Sequence, residues 1–159
     1  MRKEDVIKAL DLKPLIGEGG FEKDMYRDSK ITEGKINCGT CYYMLTPNCF
    51  SCMHKLSTDE IWYYHDGPAL EMLLVYEDHS EVVKIGKDVL NNEHPQFVVP
   101  KGVYQGCHMA YEGEYTLVST SMAPAYDPNE FVVGTYKELE GRAENKDLLK
   151  LLTGEPLYK

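Results

Sequence analysis

The chain carries two kinds of hydrophobic pattern. Near its start, Val6, Ile7, Leu10 and Leu12 fall at helical spacing within residues 2–12, and Pro14 with Gly19–Gly20 ends that pattern. Near the other end, Leu148, Leu149, Leu151 and Leu152 sit among Lys and Asp, with Gly154 and Pro156 behind them, and predict a second helix. Between the two, short runs rich in Tyr, Val, Ile and Phe recur at 41–45, 61–64, 70–76, 81–85, 97–99, 115–121 and 131–133. Pro, Gly, Asn or Asp bounds each run, as in TPN at 46–48, HDGP at 65–68 and PKG at 100–102. Many short strands with turn residues between them predict an all-β sandwich or barrel. The run Met72–Tyr76 is apolar throughout and does not alternate, but its closely spaced turns favour a strand over a helix. The expected organisation is one domain: a helix and lead-in over 1–16, a β body over 17–135, and a helical tail over 136–159.

Composition narrows the partners. At 159 residues, 43% hydrophobic and 27% charged, the chain has an ordinary globular make-up. A net charge of -9 opposes a nucleic-acid or anionic-membrane surface, so neither partner is expected. The opening residues MRKEDVIKAL hold no signal-peptide core, and no later stretch reaches the roughly 18 apolar residues of a membrane span. Five cysteines, an odd number, argue against a disulfide framework and for a reducing, cytoplasmic setting.

Two segments carry the candidate chemistry. HKLSTDEIWYYHDG, from His54 to Gly67, resembles the first cupin motif, with His54, Glu60 and Gly67 at matching places and Leu56 where a second His is usual. PKGVYQ, from Pro100 to Gln105, resembles the second motif, with Pro100 and Gly102 matching and Gln105 at its His position. The stretches GEGGFEKDMYRDS (17–29), HPQFVVPKGVYQG (94–106) and MAPAYDPNEF (122–131) extend the likeness over most of the chain, to a family of small cupins of unknown function. The resemblance implies a double-stranded β-helix, the jelly-roll barrel also found in sugar-epimerase cupins and plant storage proteins. It also implies a homodimer, and it places Tyr26 and Arg27 at the barrel mouth or a dimer seam.

Alternate residues of a strand share a face. If His54 points into the barrel, Cys52 and Phe50 are expected to follow it; Glu60 brings Trp62 and Tyr64, and Gln105 brings Val103 and Cys107. The expected cavity has aromatic walls and a few polar groups, as small-molecule sites do. His54 is the natural proton carrier, Glu60 its partner, and Tyr64 or Tyr43 the complementary acid. Cys52, Trp62, Gln105, Cys107 and Tyr43 complete the expected ligand-binding set. This points to a small, sugar-like or other carbonyl ligand, with either metal-independent isomerase or epimerase chemistry or binding alone.

Cupin metal sites, by the resemblance, use three His and a Glu. Leu56 cannot coordinate and an amide is a weak ligand, so no metal cofactor is expected in that arrangement. A zinc site remains the alternative, either from Cys52, His54 and Cys107 or from the pairs Cys38–Cys41 and Cys49–Cys52, which are separated by seven residues. Against the four-cysteine version, Cys49 and Cys52 are expected on one strand, where a spacing of three puts them on opposite faces. A turn at 46–48 is also expected to bring Cys41 toward His54. Buried, inert thiols are the favoured reading.

Overall fold

A computed structural model describes residues 1–155; Pro156, expected to follow the last helix, lies outside them. The chain opens with α1 (Lys3–Leu10), then β1 (Lys13–Pro14), β2 (Phe21–Arg27), the small hairpin β3 (Ile31–Thr32) and β4 (Lys35–Ile36), and β5 (Gly39–Leu45). The body continues through β6 (Ser51–Lys55), β7 (Glu60–Asp66), β8 (Leu70–Val75), β9 (Ser80–Ile85), β10 (Glu93–His94), β11 (Gln96–Val99), β12 (Tyr104–Met109), β13 (Thr116–Met122) and β14 (Val132–Val133). Two helices close it, α2 (Tyr136–Leu139) and α3 (Lys146–Leu152). Among the described residues no helix is long and apolar enough to cross a membrane.

The strands form two six-stranded sheets, ordered β1-β2-β5-β13-β7-β11 and β10-β9-β8-β12-β6-β14. Pairing is antiparallel except for the short β10 beside β9. This is the mostly-β body the residue pattern predicts, in the jelly-roll form the cupin resemblance implies. Strand β13 states the rule most plainly: Thr116, Val118, Thr120 and Met122 are buried and the residues between them are less so. The inner faces meet in a core that includes Leu45, Trp62, Leu70, Met72, Leu74, Ile85 and Val118.

The apolar run in β8 has a simple cause. Met72 and Leu74 face that inner core, while Leu73 and Val75 face outward and are covered by Leu148, Leu149 and Leu152 of α3. Both faces are buried, so the alternation vanishes. At the other end Val6 of α1 packs with Leu12, Phe21 and Met44. Helix α3 is started by Asn145, whose side chain accepts a hydrogen bond from the Leu148 amide at 3.0 Å. Removing that cap in Asn145→Ala should cost about 1 kcal/mol in a urea titration; no change would mean that packing alone sets the helix start.

Besides four two-residue strands, β2, β6 and β12 are absent from the apolar runs. The β2 sequence FEKDMYR buries only Phe21 fully, so it carries no run for hydrophobicity to mark. Strands β6 and β12 were implied only through His54 and Gln105. The expected strand at Cys49 is a turn residue instead, its amide donating to the Thr46 carbonyl at 3.0 Å. Nor does that turn pair the flanking strands: β5 and β6 lie in different sheets. Gly67 closes the β7–β8 turn at φ +98, and a Cβ there would sit 2.1 Å from the Tyr115 carbonyl oxygen. The position accepts glycine alone without backbone movement.

Candidate functional site

Strand register sets the first wall. Asp24 pairs with Cys41, Cys41 with Thr120, and Thr120 with Trp62, so four side chains form one row across β2, β5, β13 and β7. The neighbouring row is Glu22, Tyr43, Val118 and Tyr64. Glu60 and Met122 face each other one step beyond. Across the barrel, β6 supplies His54, with Leu56 just past its end. All of these side chains except Val118 and Tyr64, joined by Leu15 and Glu18 from the lead-in and Tyr126 from the β13–β14 connection, line a cavity. It leaves about 60 Å³ for the centres of water-sized molecules, enough for a few small groups.

Glu18 reaches the cavity because the lead-in crosses tightly over β5. At Gly20, φ is +74, and a Cβ would meet the Met44 carbonyl and the Tyr43 hydroxyl at 2.9 Å. The crossing is fastened by the Tyr43 hydroxyl donating to the Gly19 carbonyl at 2.8 Å and by the Cys52 amide donating to the Glu18 carbonyl at 2.9 Å. Ser51 donates to the Glu18 carboxyl at 2.9 Å. Burial still pushes that carboxyl up to about 7, against the Ser51 bond and with help from the nearby Glu22 charge.

His54 is buried, and its Nδ1 lies 2.8 Å from the Cys52 carbonyl. A carbonyl only accepts, so Nδ1 carries the proton and Nε2 is the free acceptor. Burial lowers the imidazole pKa, partly offset by Glu60 and by the Cys52 carbonyl. Phe131 stacks on the ring at 4.8 Å between centroids. Glu60 takes different partners: Gln105 donates to its Oε2 at 2.6 Å and the Trp62 indole at 3.2 Å. The indole also donates to the Gln105 Oε1 at 3.1 Å. Burial and the Glu18 charge raise the Glu60 pKa, while His54 and the Gln105 bond oppose them.

The expected site residues thus divide. His54, Glu60, Trp62 and Tyr43 line the cavity, and Gln105 stands behind Glu60 and fixes it. His54 and Glu60 are each oriented by other groups rather than by each other. Tyr64 does not line the cavity; its hydroxyl donates to the Gly67 carbonyl in the β7–β8 turn. Cys107 points inward but is sealed in the core, where burial raises its thiol pKa well above the usual value. Cys52 and Phe50 are the clear correction. Between Gln105 and Cys107 the β6 partner steps from His54 to Ser51, a bulge that reverses the parity. Cys52 and Phe50 consequently pack outward under α3.

Glu18, Glu22, Asp24, Thr120 and Tyr126 escaped the residue reading, while Cys41 does share the cavity with His54, though not through a pairing of β5 with β6. Glu22 and Asp24 alternate in FEKD, which is the signal of one strand face, but in a strand too polar to recognise. The metal arrangement implied by the cupin motifs does not fit these side chains. Leu56 presents a methyl-bearing wall, and the Gln105 amide is engaged with Glu60 and Trp62. Among the described residues no group of three or more His, Cys, Asp or Glu is placed to hold a metal ion. The paired cysteines are likewise separated: Cys41 faces the cavity, Cys49 the inner core and Cys52 the α3 side.

Sequence and structure comparisons agree on the architecture. A family model described as cupin superfamily (DUF985) matches residues 4–134. A hypothetical protein from Leishmania major is similar at 28% identity and TM-score 0.87, covering 98% of this chain and 100% of that one. A protein from Shewanella oneidensis is similar at 28% identity and TM-score 0.88, with 99% of each chain covered. A mutant of Bacillus subtilis oxalate decarboxylase shares the fold at 15% identity and TM-score 0.58, over 93% of this chain and 39% of that one. No curated protein matches the sequence.

Proposed function

We propose that this chain, which belongs to the DUF985 family of the cupin superfamily, binds a small uncharged or cationic metabolite rich in hydroxyl or carbonyl oxygen, and exchanges a proton with it through His54. One observation carries the reading. The cavity wall holds four carboxyl groups, Glu18, Glu22, Asp24 and Glu60, with one imidazole and no Lys or Arg. An anionic ligand there would meet like charge at low dielectric. Oxalate decarboxylase shares the fold, but a dianion would find no cationic side chain on this wall. A neutral sugar or small ketone would find carboxylate acceptors, the Thr120 hydroxyl and the flat faces of Trp62 and Tyr126.

The proton chemistry follows from protonation states. His54 Nε2 is an unprotonated base in a dry site. A carboxyl titrating near 7, as Glu18 does, is partly protonated at neutral pH and supplies a donor to an oxygen that gains charge. A proton leaves the carbon next to a carbonyl for Nε2, and the resulting enolate oxygen takes a hydrogen bond or proton from Glu18. Its return to the same carbon on the other face, or to its neighbour, gives an epimerase or an isomerase.

The test is deuterium uptake from heavy water at the carbon next to the carbonyl of dihydroxyacetone and glyceraldehyde, followed by NMR. Exchange should fall about 10²- to 10⁴-fold in His54→Ala. Thermal-shift titration with neutral sugars, amines and sugar phosphates runs beside it. Stabilisation by neutral ligands without exchange leaves a binding protein; stabilisation by phosphates alone overturns the reading. A homodimer belongs to the same proposal. Tyr26, Ile61 and Val98 border an open, largely apolar groove on the outer face of the first sheet, and light scattering at micromolar concentration decides whether a second copy covers it.

A further inference from the structure

Residues 123–131, between β13 and β14, belong to no strand; they run as irregular chain and one 3-10 turn at 128–130. They carry Tyr126 and Phe131, the second stacked on His54. Tyr126 is a wall of three spaces at once: the inner cavity and two outer clefts that flank Arg27. Asp24, Cys41, Thr120 and Met122 line both the inner cavity and the first of those clefts. The two spaces therefore meet along one row of side chains, and Tyr126 stands at the junction.

The segment is fastened lightly. The Ala125 amide donates to the Ile36 carbonyl at 2.9 Å, and Arg27 Nη2 donates to the Tyr126 carbonyl at 3.1 Å. Lys35 Nζ and the Ser57 hydroxyl both bind the Glu130 carboxylate. Lys35 and Glu130 are partly exposed, so their attraction is screened by water and salt. The segment's buried contacts are Ala125 and Phe131, the latter at the far end of the strap from Ala123; the stretch around Tyr126 has exposed fastenings and opens at small cost compared with the sheets it bridges.

We propose that Tyr126 is the gate and size filter of the cavity, that the strap 123–131 swings it aside to admit a ligand, and that the Lys35–Glu130–Ser57 cluster is the latch. The proposal gives the cavity its entrance and rests on its being a ligand site, but the test needs no ligand. Cys41 lies on the shared row, beside Tyr126 in both the inner cavity and the first cleft, a free and partly buried thiol 3.4 Å from the Thr120 hydroxyl. Cys38, also free, borders the groove on the outer face of the first sheet that a second copy would cover, so it is the control at a dilution where light scattering shows a monomer.

Alkylation of each thiol in the full chain is timed by mass spectrometry with iodoacetamide and with a bulky fluorescein maleimide. The high thiol pKa of Cys41, about 12 through burial, slows both reagents alike and cancels in their ratio. A filter predicts that Cys41 discriminates against the bulky reagent about tenfold more than Cys38 does, and that Tyr126→Ala removes the difference. Glu130→Gln should speed Cys41 labelling about threefold to fivefold with both reagents, an effect reproduced in the parent protein by added salt. Tyr126→Trp, which keeps the wall, should slow Cys41 and leave Cys38 unchanged, and unaltered Cys38 rates with native circular dichroism exclude general unfolding. Equal discrimination at the two cysteines in the parent protein, or an unchanged ratio in Tyr126→Ala, overturns the gate while leaving the ligand reading to its own exchange assay.

Discussion

Trp62→Ala should lower the unfolding free energy by about 3–5 kcal/mol, the range for removing a large buried aromatic side chain. Trp62 is 1% exposed and lies at the centre of the inner core, edge-on to Tyr43 at 5.9 Å. Its loss also deprives Glu60 and Gln105 of the indole donor that each accepts from. Trp62→Phe loses the N–H and part of the ring but keeps much of the packing, so a smaller loss of about 1–3 kcal/mol is expected for that step. It is the chain's only tryptophan, so the variants are followed by circular dichroism in urea. For the same reason, fluorescence of the parent protein reports directly on the cavity wall. A loss below about 1 kcal/mol in the alanine variant would mean that the core closes around the gap and that the wall is not rigid.

Glu18 should make the fold less stable as pH rises. Its folded pKa stands at about 7 against an ordinary 4.5, so the folded state holds the proton more tightly than the unfolded one. The resulting stabilisation is complete below pH 4.5 and is lost progressively up to about pH 7. Glu18 is half-buried, and after allowing for that exposure the effect is on the order of 2 kcal/mol. Glu22 and Glu60, whose pKa values are also raised by burial, act in the same direction. His54 acts in the opposite one: its lowered pKa makes the unfolded chain bind protons more readily, so its contribution is lost as pH falls below 6.5. The clean measurement is therefore the difference between parent and Glu18→Gln in urea from pH 5 to pH 8. The two should nearly coincide at pH 5, and the glutamine variant should be the more stable at pH 8. Parallel curves across that range would place the Glu18 carboxyl in water.

Much of this architecture was legible along the chain because short apolar runs are punctuated by Pro, Gly, Asn and Asp. Strand β13 alternates without a break, and closely spaced turns marked the apolar run of β8 as a strand. His54 and Glu60 were placed by the likeness to the cupin motifs, and strand parity then added Trp62 to the same cavity. The same rule failed at Cys52, where one bulge in β6 reverses inside and outside, and nothing local announces it. The lead-in and the strap were harder still. Glu18 and Tyr126 stand in irregular segments, where no period applies, and they reach the site only because β2, β5 and β13 are neighbours in space. The acidic character of the wall is therefore a property of the fold, invisible in a net charge spread over the whole chain.

The leucines of α3 have a further consequence for how the chain is made. They follow every strand in the sequence, yet they cover the outward side chains of β8 and β12. During vectorial synthesis the twelve strands of the two large sheets among the described residues leave the ribosome before that cover exists. Until Leu152 has emerged, Leu73, Val75 and Tyr104 remain an open apolar surface on an otherwise complete sheet. A nascent chain halted before α3 is then a ready client for a chaperone, and one halted after it is not.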